Sequence, residues 1–220
     1  MSGNESPYSA HVEGYSNITY GSFSHVEGYS NTANSAEASH IEGKSNIING
    51  TGDANHIEGK SNKITATSGI NPASTHVEGN SNEAQGNISH AKGYKTVVKG
   101  ECSHTEGSWT TTSNNFEHAQ GRYNLSHTSN NPYPHASNTI HSIGIGTSDS
   151  NRVNAVEVMQ DGKVFVKGVG GYDGTNPAAA NVKDLAAILG TTGFIQYMID
   201  AAQSMDETQK AVLKTALELS

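Results

Sequence analysis

Apolar positions in the first 120 residues are sparse and regularly placed. One aliphatic residue sits between a histidine and an acidic residue at Val12, Val26, Ile41, Ile57 and Val77, and Ala91, Thr105 and Ala119 hold the same place further on. Two-residue alternation puts His25 and Glu27 on one face of a strand, and Val26 with Ser24 on the other. A second β-prone run precedes a glycine in each interval, as in NITYGSFS and KTVVKGECS. Each interval therefore predicts two strands of about five residues, each closed by a Gly whose positive φ makes a tight turn. Two strands and two turns within one fourteen-residue interval are one coil of a flattened β-solenoid. Stacked coils pair their strands in parallel about 4.8 Å apart, so roughly nine coils give a rod on the order of 45 Å long.

The repeat behind this pattern is explicit. It reads AHVEGYSN at Ala10, SHVEGYSN at Ser24, SHIEGKSN at Ser39 and NHIEGKSN at Asn55. It continues as THVEGNSN at Thr75, SHAKGYKT at Ser89, SHTEGSWT at Ser103 and EHAQGRYN at Glu117. From His11 to His118 the histidine positions advance in steps of 14, 15, 16, 20, 14, 14 and 14. Insertions in repeat proteins become loops on one face. The longest lies between His56 and His76, and makes Ser68, Gly69, Ile70, Asn71 and Pro72 a candidate receptor loop.

Beyond the repeat the pattern changes twice. Asn124 to Asn138, with His127 and His135, is rich in Asn, Ser and Pro and predicts a loop or terminal cap. Val156 and Val158, a turn at Asp161-Gly162, then Val164 and Val166 predict a β-hairpin. Gly168, Gly170 and Gly171, with the segment from Tyr172 to Pro177, predict a linker. Asn181 is positioned to cap a helix over Val182 to Leu189. Ile195, Met198, Ile199 and Ala202 follow helical spacing, Asp206 with Gln209 forms a capping box, and Val212, Leu213, Ala216 and Leu217 continue the next helix. Boundaries near residues 150 and 178 give a repeat unit (1–150), a hairpin and Gly-rich linker (151–178) and a helical tail (179–220) for chain registration or docking.

Composition sharpens this picture. Leu, Ile, Val and Phe make up 37 of 220 residues, below the level of a conventional single-core globule. The apolar stripe is too thin for a lone solenoid, so several chains are expected to share a core, with three-fold symmetry closing the rod. The net charge is −8, and seven Lys and Arg lie in the first 150 residues, so no basic stripe exists to meet nucleic acid. No apolar stretch approaches membrane-spanning length, and no leader pattern is visible from Met1 to Ala10. The single cysteine, Cys102, excludes an intrachain disulfide framework.

The chemistry expected of the repeat is structural. His11, Glu13, His25, Glu27, His40, Glu42, His56, Glu58, His76, Glu78, His104 and Glu106 form a ladder of His and Glu that hydrogen-bond within and between coils and avoid stacking like charges. Such pairing lowers the Glu pKa and raises the His pKa, so the rod weakens as pH falls through the carboxylate range. No metal, cofactor or catalytic set is expected. Nucleophile elbow, P-loop and dinucleotide motifs are missing, and the fourteen-residue step differs from the six-residue repeat of trimeric acyltransferases. Trp109 with Tyr15, Tyr29 and Tyr94 could stack on sugars, but packing at coil corners or between chains is the favoured reading.

The SHxEG unit resembles the head repeats of trimeric autotransporter adhesins, which also occur in phage and prophage tail fibres and appendages. The resemblance covers about residues 8 to 148 and ends in Ser142-Ile-Gly-Ile-Gly146, close to an adhesin repeat variant. Residues 154 to 177 also resemble stretches that follow such repeats in prophage fibres. The resemblance implies a left-handed parallel β-roll homotrimer. Without the secretion signal and membrane barrel of autotransporters, the phage branch is favoured, with a location in the virion tail. Other tail or baseplate proteins and a host surface glycan or protein are the expected partners. A bacterial surface adhesin and a structural spacer without ligand are the alternatives.

Overall fold

Each His-x-Glu-Gly segment forms a strand that lies parallel and in register beside its copy in the next coil. The computed structural model describes residues 9–34, 36–67, 69–127 and 132–218. The repeat strands are β1 (His11–Tyr15), β3 (His25–Tyr29), β5 (His40–Lys44), β7 (His56–Lys60), β9 (His76–Asn80), β11 (His90–Tyr94), β13 (His104–Ser108) and β15 (His118–Arg122). Between them run β2 (Ile18–Thr19), β4 (Thr32–Asn34), β6 (Ile47–Asn49), β8 (Lys63–Thr65), β10 (Glu83–Ala84), β12 (Val97–Val98) and β14 (Thr111–Thr112). The odd strands and the even strands make two separate sheets in coil order. The chain is mainly β, a parallel solenoid, as its periodicity predicts. Insertions do not disturb register: His40 pairs with His56 and His56 with His76, although these two intervals are the longest in the repeat.

The glycines of the repeat serve a different purpose from the one expected. Those of the His-x-Glu-Gly units lie inside the odd strands, whereas Gly21, Gly86 and Gly100 lie in the bends that follow the even strands. Gly59 has φ +104°, and a Cβ there would sit 2.2 Å from the carbonyl oxygen of Gly79 in the next coil. Close coil-to-coil approach as well as backbone conformation thus excludes a side chain. The corners are made by non-glycine residues in the left-handed region, such as Ala54 (φ 55°) and Ser61 (φ 57°).

The core is a double file. Val26, Ile41, Ile57, Val77, Ala91 and Ala119 point inward from the first sheet, and Ala33, Ile48, Ile64, Ala84 and Val98 point inward from the second; all are buried. The second file enlarges the thin stripe read from the histidine strands. Toward the C-terminal end Thr105 and Thr112 take the same inward places, so the core becomes more polar.

A buried asparagine ladder runs beside this core. Asn17, Asn31, Asn46, Asn62 and Asn82 are each at most 1% exposed. The Asn62 side-chain oxygen accepts from the Asn82 backbone N–H at 2.9 Å. Its amide donates to the carbonyls of Glu58 (2.7 Å) in its own coil and Gly79 (2.9 Å) in the next. The pattern repeats at Asn31 and Asn46. Buried backbone groups of two successive coils are tied together this way.

The first sheet runs without a break across residue 150. β16 (Thr139–Ile145) adds a ninth parallel strand, pairing His141 with His118. β17 (Asn154–Met159) and β18 (Val164–Val166) follow antiparallel. The expected hairpin forms, with Val156 opposite Val166 and Val158 opposite Val164, but its faces differ from a simple alternation of buried valines. Glu157 and Phe165 are the buried side chains, packed with Met159 and Tyr172, while the four valines are half-exposed. Tyr172 is 1% exposed, so the glycine-rich segment is packed onto the hairpin. Helices α1 (Leu185–Leu189), α2 (Thr191–Ser204) and α3 (Glu207–Glu218) follow. Asp184, not Asn181, caps α1, its carboxylate accepting from the Ala187 N–H at 3.0 Å, and the helix starts at Leu185, one turn later than the sequence predicts. The capping box at α3 is reciprocal: the Gln209 N–H donates to Asp206 and the Asp206 N–H donates to Gln209.

Candidate functional site

Parallel in-register pairing stacks identical residues, and this decides the chemistry of the outer face of the first sheet. Ring centroids from His11 through His25, His40, His56, His76, His90, His104 and His118 are 4.6–4.9 Å apart, with planes within 24° of parallel. That distance is the strand spacing itself. His141 ends the column edge-on to His118, at 4.9 Å. Two residues along each strand runs the carboxylate column. Glu13 pairs with Glu27, Glu42 with Glu58 and Glu58 with Glu78. Lys92 then takes the Glu place, its Nζ 2.6 Å from Glu78, with Glu106 beyond it.

The expected alternation of His with Glu is therefore corrected. Like groups stack on like, because a parallel register offers no other neighbour. Close His–Glu contacts are limited to His25 with Glu27 (3.4 Å) and His118 with Glu106 (3.8 Å) among ladder pairs of the described residues. Five histidines of the column, His40, His90, His104, His118 and His141, shift in the opposite direction to expectation. Burial first, then the neighbouring imidazoles, hold His40 below its ordinary value and push His90 down to about 4. Burial likewise lowers His104, His118 and His141. A neutral imidazole stack avoids placing positive charges at van der Waals distance. The hydrogen bond from Lys92 holds Glu78 below the carboxylate range.

This face turns apolar at its end. Ile143 pairs with Val156, Val156 with Val166 and Val158 with Val164, all on the side that carries His141. These side chains are half-exposed. One continuous surface thus runs from stacked histidines and carboxylates to a strip of five aliphatic residues.

The insertion loop is smaller than its sequence span. Thr67 and Ile70 exchange two backbone hydrogen bonds of 3.0 Å and close a tight turn. Gly69 and Asn71 are exposed and Ile70 is half-exposed, while Pro72 is buried, its carbonyl accepting from Asn55 at 2.9 Å. Pro72 therefore belongs to the coil stack, not to the presented surface; Ser68 lies outside the described residues. The aromatic residues stack on one another between coils, yet Tyr15, Tyr29 and Tyr94 remain exposed. Tyr15 stacks on Tyr29 and Trp109 on Tyr123, both at 5.4 Å, with Lys95 4.2 Å above the Trp109 ring.

A second cluster, which the sequence did not single out, sits under the cap. The Glu157 carboxylate is fully buried and accepts from Thr139 Oγ1 (2.6 Å) and the Tyr172 hydroxyl (2.7 Å), with His127 Nε2 at 3.1 Å. Burial opposes its ionisation, but His127, Thr139 and Tyr172 hold its pKa below the usual range. The bond to Glu157 raises His127 against its own burial. Glu117 occupies a Ser position of the repeat, 1% exposed; its carboxylate accepts from the N–H groups of Ser113 (2.8 Å) and Asn114 (2.9 Å), and burial pushes it up to about 7. His127 also lines a cleft of 810 Å³ with Met159, Lys163, Phe165, Pro177 and Val182.

Two of these features had a signal in the sequence. The HSIGI of His141 to Ile145 shares its His and Gly spacing with HAQGR of His118 to Arg122, and the ladder asparagines fall six places after each of the first five histidines. Glu157 had none: a lone Glu between valines reads as solvent-facing. Among the described residues, no helix is long and apolar enough to cross a membrane. Comparison with protein families, with curated proteins and with solved structures found no match to this chain.

Proposed function

We propose that this chain is a homotrimeric structural and adhesive rod of a phage or prophage tail, a fibre or receptor-binding appendage. The observation that supports it is the single outer face of the first sheet. Stacked imidazoles lead into Ile143, Val156, Val158, Val164 and Val166, an aliphatic strip that one chain leaves half-exposed. Three copies sharing this face would bury the strip and add apolar contact to the narrow core that each chain already has. The resemblance of the repeat to adhesin heads adds the left-handed sense of the roll and the three-chain assembly. Ile195, Ile199 and Val212 on α2 and α3 are exposed, consistent with a tail that registers the copies or docks them to other tail or baseplate proteins. Identical loops on three copies would multiply weak contacts with a host glycan or protein by avidity.

Light scattering tests the assembly. The reading expects a particle of three times the 23.1 kDa chain mass, and a band that resists unboiled SDS. A particle with the mass of one chain overturns it. Replacing Gly69, Ile70 and Asn71 with a Gly/Ser turn tests adhesion. Lost binding to host cells with the trimer intact supports a receptor loop; unchanged binding to cells transfers adhesion elsewhere, and no binding by either form favours the spacer.

A further inference from the structure

We infer that Glu58, His76 and Glu78 form a binding site for one divalent transition-metal ion, built within a single chain. Their ligating atoms all lie within 4.8 Å of one another, and they are the only such group of three among the described residues. The fold explains why they meet. Glu58 and Glu78 are direct register partners on β7 and β9, one strand spacing apart. His76 lies two residues before Glu78 on the same strand face.

Three observations make this a place for a cation. Two carboxylates are held side by side, so a positive charge between them relieves their repulsion. His76 Nε2, like that of six other histidines of the column, is shut away from solvent and has no hydrogen-bond partner, and among the described residues only this one groups with two carboxylates. A buried lone pair or N–H without a partner is costly, and coordination would satisfy the nitrogen in its neutral form. The chain already recruits one cation here: Lys92 reaches back to Glu78, with Nζ at 2.6 Å. Lys92 is the competitor that a metal ion must displace from one carboxylate oxygen.

The donor set selects the class of ion. One imidazole nitrogen with two carboxylate oxygens suits Zn²⁺, Co²⁺, Ni²⁺ or Mn²⁺, whereas Ca²⁺ and Mg²⁺ prefer oxygen ligands alone. The site is half-exposed, which leaves coordination positions for water. This inference is independent of the proposed fibre function, because every ligand comes from one chain.

The test is a titration of the untagged full-length protein with CoCl₂, followed by visible absorption and by calorimetry. The expected result is one ion per chain. Glu58→Gln and His76→Asn should each weaken binding by about tenfold or more. Lys92→Met should tighten it several-fold by removing the competitor, a gain that a misfolded protein does not produce. Glu27→Gln, on a rung without the triad, should bind as the parent does. The inference is overturned if no saturable binding occurs. It is equally overturned if the stoichiometry follows the number of histidines, or if folded His76→Asn and Lys92→Met proteins both bind like the parent.

Discussion

The imidazoles of His90 and His104 lie 4.6 Å apart, centroid to centroid, with their planes 18° from parallel. Neither ring can take a proton without placing positive charge against its neighbour's face and edge. This contact recurs along the column, so it governs how the rod responds to acid.

Acid should unfold the rod in the histidine range. His90 titrates at about 4 in the folded chain against 6.5 for the free side chain, and His40, His104, His118 and His141 also shift down. Between these values the unfolded chain binds more protons than the folded one, so stability falls as pH falls. The stabilisation is fully present above pH 6.5 and is lost progressively toward pH 4. Melting temperature measured from pH 7.5 to 4 should drop most steeply in that window. A curve flat to pH 4.5 would show that the stack is not held neutral.

Glu117 should act with the opposite sign. Its folded value of about 7 exceeds that of an ordinary carboxyl, so the folded state holds the extra proton. Its favourable term is present at low pH and disappears as pH rises through 7. Glu117→Gln removes the charge that must otherwise be buried. The variant should gain on the order of 2 kcal/mol over the parent at pH 9 and little at pH 5. Chemical denaturation at the two pH values checks this, and equal gains at both would remove the role of ionisation.

The asparagine ladder should be among the most sensitive positions. Asn62→Ala strips three hydrogen bonds and leaves the carbonyls of Glu58 and Gly79 and the N–H of Asn82 without those partners. A loss of about 2–4 kcal/mol is expected from buried groups left unpaired. Thr96 stands at the equivalent place and bonds to Asn82 through its own hydroxyl at 3.0 Å. Asn62→Thr should therefore cost less than Asn62→Ala. Denaturant midpoints that rank the two the other way would mean that a hydroxyl at this place recovers none of the lost hydrogen bonding.

The aliphatic strip should separate folding from assembly. Val156 and Val166 face outward and are half-exposed in the single chain, so Val156→Lys or Val166→Lys leaves the internal cluster of Met159, Phe165 and Tyr172 in place. Circular dichroism should stay that of a β-solenoid while native mass falls from trimer to monomer. Persistence of the three-chain particle would move the shared face to the second sheet.

Much of this was legible in the chain itself. The face of Val26 or Ile57 follows from strand alternation, and the coil follows from a repeat whose histidines return at a nearly constant step. Both depend on separations a short window contains. The sequence also placed the hairpin turn at Asp161-Gly162 and the capping box at Asp206, because those motifs close within a single turn of chain.

Only the tertiary structure decided what each side chain meets. His stacks on His and Glu on Glu because register aligns equal positions, and that reversed the direction of the histidine shifts. The glycines of the repeat are required by the next coil's carbonyl as well as by their own backbone, as Gly59 and Gly79 demonstrate. His141 became the ninth rung although the whole cap segment separates it from His118. Glu157 became a buried acid through His127, a partner far back along the chain. Burial and electrostatic environment are set by whatever packs across such distances. Local spacing fixes which way a residue points, but not what stands there to receive it.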